Sequence, residues 1–72
     1  MQQFLVVIEQ GEHNYSAYSP DVPGCVATGK TVEQTLKNMS EALAFHLEGM
    51  KEANLELPQP HSRDEYVTVA VA

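Results

Sequence analysis

A chain of 72 residues is one domain with a small core, because a domain this size buries only about 60% of the surface it exposes when unfolded. Ten Asp and Glu against four Lys and Arg give a formal charge of -6, with Lys30, Lys37, Lys51 and Arg63 scattered among acidic neighbours. Direct nucleic-acid binding by this chain is therefore not expected, since that needs clustered cations, whereas a basic protein partner is favoured. A single cysteine excludes an intrachain disulfide and any cysteine-based zinc cluster within one chain.

Residues 3–9, QFLVVIE, form an apolar, β-branched run that does not alternate, which predicts a strand buried on both faces. No basic residue precedes it, no small-residue cleavage site follows, and it is too short to span a bilayer. The expectation is a cytoplasmic protein with no membrane segment. Residues 10–14, with Gly11 among polar neighbours, predict a hairpin connection into a second strand, YSAYS at 15–19. After PDVPG, the short run CVATG predicts a third strand.

Thr31 opens a helix. Thr at the cap with Gln34 three residues later fits a capping box, and Glu33 lies in the first turn, where the dipole favours anions. Val32, Leu36, Met39, Leu43, Leu47 and Met50, with Ala42 and Phe45 or His46, form an apolar stripe opposite Glu33, Lys37, Glu41, Glu48 and Lys51. The helix should end near Ala53 or Asn54. Pro58 and Pro60 then impose an extended linker, and EYVTVAVA at 65–72 alternates strictly, which predicts a fourth strand.

Two hairpins and a right-handed helical crossover bring strand 4 parallel to strand 1. The expected fold is α+β, of order β-β-β-α-β, a four-stranded mixed sheet of order 3-2-1-4 with one helix on one face. The other face then needs a cover, which predicts a homo-oligomer, a dimer or tetramer.

The residues able to do chemistry are few. Glu9 and Asp21 are carboxylates that could act as acid and base, but Asp in a turn more often bonds nearby backbone N–H groups. Cys25 has no basic neighbour to lower its pKa and starts an apolar strand, so it is expected to pack as a small hydrophobe. His13, His46 and His61 show no metal-ligand spacing; His46, beside the stripe, is expected to be partly buried. GCVATGKT matches the spacing of a phosphate-binding loop through Gly24, Gly29, Lys30 and Thr31. Its apolar, strand-like centre argues against that use. No catalytic, cofactor-binding or metal site is expected.

The stretch YSAYSPDVPGCVATGKTVEQTLKNMSEAL resembles the HicB-like antitoxin family. The resemblance runs through Tyr15, Ala17, Pro20, Asp21, Pro23, Gly24, Cys25, Gly29, Thr31, Glu33, Glu41, Ala42 and Leu43, and LPQPHS at 57–62 is similar to the family's proline-rich exit from its helix. It implies a partial ribonuclease-H-like fold without the acidic metal site, and a non-enzymatic antitoxin that neutralises a small basic HicA-like toxin, an mRNA-cleaving ribonuclease. Lys30 stands where the family usually has an acidic residue, so no contact of that carboxylate carries over. Residues 1–72 are expected to be one HicB-like domain with no C-terminal DNA-binding domain. The alternative is an orphan oligomeric protein- or ligand-binding domain without a toxin partner. Tyr18, Pro20, Asp21 and Pro23, loop residues presented by a rigid sheet, are the candidate partner-binding residues.

Overall fold

A computed structural model describes residues 2–71; Met1 and Ala72, the last residue of the expected fourth strand, lie outside the described residues. Three short strands, β1 (Val7–Gln10), β2 (Tyr15–Tyr18) and β3 (Val26–Gly29), precede one helix, α1 (Val32–Glu52). The strands form an antiparallel sheet of order β1-β2-β3.

The hairpin expected at 10–14 is present. Gly11 donates its N–H to the Asn14 carbonyl at 2.7 Å, and the register then runs from Gln10 opposite Tyr15 to Val7 opposite Tyr18. β3 pairs on the far side of β2, with Ala17 opposite Ala27 and Tyr18 opposite Val26.

The helix begins and ends where its capping signals place it. Thr31 is extended (φ -132, ψ 164) and its Oγ1 accepts the Gln34 N–H at 3.0 Å. Gln34 returns a bond through Oε1, but to the N–H of Lys30 at 2.8 Å, one residue earlier than in the usual capping box. At the other end Asn54 sits at φ 59, donates its N–H to the Lys51 carbonyl at 3.1 Å, and Leu55 donates to Met50 at 2.9 Å. This is a Schellman ending with Asn in the left-handed position.

The core lies between the helix and one sheet face. Ala17, Val22, Cys25 and Met39 are buried, with Phe4, Val6, Ile8, Ala27, Ala42 and Leu43 packed against them. Thr35, outside the apolar stripe, is fully buried and its Oγ1 donates to the Thr31 carbonyl at 2.7 Å. The reason is a close approach: a Cβ on Gly29 would lie 2.6 Å from Thr35 Oγ1 and 2.8 Å from its backbone nitrogen. Phe45 falls off the buried side and is exposed, whereas His46 is half-buried.

The four-stranded mixed sheet of order 3-2-1-4 is not what the chain forms. Residues 64–71 belong to no strand, and Tyr66, Val67, Val69 and Val71 are 97%, 82%, 67% and 87% exposed. β2, not strand 1, is central, and β1 begins at Val7 rather than Gln3. Alternation shows that a segment suits a sheet; it does not supply a partner ladder. The architecture is therefore α+β with a three-stranded antiparallel sheet and one helix.

Candidate functional site

The candidate residues sit at the corner between β2 and β3. Two turns build it. Val22 donates its N–H to the Ser19 carbonyl at 3.1 Å across Pro20-Asp21, and Cys25 donates to the Val22 carbonyl at 3.3 Å across Pro23-Gly24. Proline at the second position and Gly24 at φ 84 in the third give the second turn its type II signature. Between the turns, Val22 is 1% exposed and plugs into the core beside Cys25 and Met39. The corner is thus pegged from beneath while Pro20 and Pro23 face solvent.

Asp21 does not tie its own turn. Its Oδ2 accepts the N–H groups of His61 at 3.0 Å and Ser62 at 2.9 Å, and its Oδ1 accepts the Ser62 hydroxyl at 2.9 Å. These bonds, the Ser62 N–H foremost, hold the Asp21 carboxyl below the ordinary carboxylate range against the opposing effect of partial desolvation. The carboxylate therefore clamps the proline-rich exit of the helix onto the corner. Pro20, Asp21 and Pro23 line a cleft of about 440 Å³ with Leu57, Pro58 and His61.

Tyr18 looks elsewhere. Because Ala17 faces the helix, Tyr18 faces the opposite side of the sheet, in a cross-strand row with Val7 and Val26. Val26 is 66% exposed, so this outer face is apolar and uncovered within the chain. Three of the four candidate residues thus share one cleft, and the fourth opens onto the sheet's outer face.

Other residues weighed for chemistry have structural duties. Burial pushes the Cys25 thiol up, away from the thiolate a nucleophile needs, and the side chain packs in the core as expected. Glu9 stands opposite Ser16 in the β1–β2 ladder, and the bonds of Asp21 go to residues 61 and 62. In GCVATGKT, residues 26–29 are a paired strand, Gly29 packs on Thr35, and Thr31 caps the helix. Among the described residues no three His, Cys, Asp or Glu side chains are arranged to hold a metal ion, and no helix is long and apolar enough to cross a membrane.

Ser62 and His61 join the corner from about 40 positions away by bonding Asp21, a pairing that LPQPHS at 57–62 marks only through the resemblance and not by any pairing signal of its own. Val22 was more accessible: a single apolar residue between two turn-forming prolines is a natural peg.

The family model described as the HicB-like antitoxin of bacterial toxin-antitoxin systems matches residues 4–70. An uncharacterized 14.9 kDa protein of the rep-hol intergenic region of Haemophilus phage HP1 is 39% identical over 64 residues, covering 89% of this chain and 48% of that protein. A UPF0150 protein of Thermoplasma acidophilum is 30% identical over 63 residues, covering 86% of this chain and 91% of its counterpart. The chain thus spans about half the length of the phage relative and most of the Thermoplasma one. Among solved structures, the HicA3 and HicB3 toxin-antitoxin complex contains a chain similar over 82% of this chain and 72% of its own, with a TM-score of 0.67 and 29% identity.

Proposed function

The chain belongs to the HicB-like antitoxin family of bacterial toxin-antitoxin systems, and on that premise we propose that it binds and neutralises a small, basic HicA-like mRNA-cleaving toxin. The observation that carries this reading is the family match across residues 4–70, joined by the likeness to a chain of a toxin-antitoxin complex. The formal charge of -6 supports a basic partner, because complementary charge steers encounter.

Inhibition by occlusion, without catalysis, suits the site. Pro20 and Pro23 stiffen an exposed corner that offers few backbone donors of its own, and Tyr18 supplies an aromatic contact at its edge. A corner rigid before binding loses little conformational freedom on docking. Residues 1–72 act in this reading as one binding unit in the cytoplasm. The apolar row of Val7, Tyr18 and Val26 supports a homo-oligomer as the free form.

Co-expression with a HicA-like toxin tests the proposal. A stable complex on gel filtration and rescue of growth are expected; a toxin that stays lethal and elutes alone overturns it. Substituting Tyr18 and Pro23 by Ala together should weaken the complex by about tenfold or more if the corner is the contact surface.

The exposed apolar surface also favours a second reading, an orphan oligomeric domain. That reading predicts the same self-association with no effect on any toxin.

A further inference from the structure

Two unsatisfied surfaces occur in the same chain. Residues 66–71, YVTVAV, carry no charge and alternate with a strict period of two, yet they join no sheet and stand largely in solvent. β1 lies at the edge of its sheet, so its outer row of backbone N–H and C=O groups is open. Beside that edge runs an apolar trough of about 600 Å³, lined by Phe4, Val6, Leu36, Leu43 and Leu47. We infer that residues 66–71 of one copy add as a strand to the open β1 edge of a second copy, which returns its own tail in exchange.

The other edge of the sheet is a poorer acceptor. On β3 the Asn38 side chain donates to the Thr28 carbonyl at 2.8 Å, which occupies a backbone group there. The point of departure is fixed as well. Asp21 holds residues 61 and 62, leaving the charged, exposed segment Arg63-Asp64-Glu65 as the hinge. Beyond it, six extended residues reach roughly 20 Å.

The shape of the chain agrees with a donated arm. Its radius of gyration is 14.2 Å, against about 11 Å for a compact domain of this length, and its extents are 51 × 27 × 19 Å. A second copy is the occupant favoured here because donor and acceptor belong to one sequence. A reciprocal exchange about a two-fold axis satisfies both and closes the assembly. The uncharged tail also approaches a chain of net charge -6 without like-charge repulsion. Two exchanged tails with their acceptor surfaces bury on the order of 2,000 Å², the scale of a specific dimer. The exchange does not require the toxin, so the tests use the purified full chain alone.

Light scattering should give twice the 7.9 kDa chain mass, and amide exchange of residues 66–71 should slow as protein concentration rises. Val69→Lys places a charge on the Val67-Val69-Val71 row and should weaken the dimer about tenfold or more, with Thr68→Lys on the other row as the tolerated control. Both substitutions fall outside the core, and the amide-exchange measurement needs neither of them. A single-chain mass overturns the inference. So does a dimer whose 66–71 amides stay unprotected, one that Val69→Lys leaves unchanged, or protection independent of concentration, which would mark pairing within the chain.

Discussion

Val22 is where the corner and the core are the same object, and shortening it tests both. Val22→Ala removes two methyl groups from a side chain that is 1% exposed and packed with Ala17, Cys25 and Met39. Their transfer is worth about 0.8 kcal/mol each. A partly relaxed cavity of about 40 Å³ adds about 1 kcal/mol at the usual cost per unit volume. The total, about 2.5 kcal/mol, is large against the ~3–5 kcal/mol that a core of this size supplies. At about 4–8 °C per kcal/mol, the melting temperature should fall by about 10–20 °C. Circular dichroism melts of the variant and of Phe45→Ala make the comparison. Phe45 is 83% exposed, so its truncation should cost no more than about 0.5 kcal/mol. Equal melting of the two variants would refute the peg.

Gly29→Ala forces a Cβ to within 2.6 Å of Thr35 Oγ1 and 3.0 Å of its Cα, so helix and strand must part; the cost should be about 1–3 kcal/mol, read from the denaturant midpoint. Gly49→Ala, with nothing within 4 Å, should instead stabilise the helix by about 0.5–1 kcal/mol. Asp21→Asn removes the charge from the clamp and should speed amide exchange at His61 and Ser62 while the core melts nearly as before. Because the folded Asp21 pKa lies below its unfolded value, the clamp's contribution is complete above the ordinary carboxylate pKa and is lost as pH falls through the lowered value. An NMR titration that places the Asp21 carboxyl at or above the ordinary range would contradict this.

The elements legible in the sequence are those whose signals are local. Thr31 and Gln34 mark one helix end, Gly11 the hairpin, and Pro23-Gly24 the turn that re-aims the chain. The Cys25 side chain is buried as its apolar neighbours imply. What escaped is non-local. The apolar run at 3–9 suits a strand covered on both faces, but Phe4, Val6 and Ile8 face the core while Val7 joins the open face with Tyr18 and Val26. The run marks an edge strand with an uncovered side. The alternation at 65–71 suits a strand, but the segment forms none, because no neighbouring strand of the chain offers it a ladder. Three of the four candidate site residues share one cleft, yet nothing in LPQPHS, although it carries part of the resemblance, shows that Ser62 would bond Asp21.

The Asp21 clamp also has a topological meaning. Its three hydrogen bonds join residue 21 to residues 61 and 62 and so close a loop that contains the third strand and the whole helix. Closing such a loop in a free chain costs entropy that grows with the logarithm of its length. Here the docking of helix on strand has already brought the ends together, and the carboxylate orders only the last few residues. The clamp therefore works as a reversible staple in a protein whose single thiol permits no covalent one. Undocking the helix by a disturbance at Gly29 or Thr35 therefore also releases the C-terminal arm, whereas opening the clamp frees the arm and leaves the helix in place.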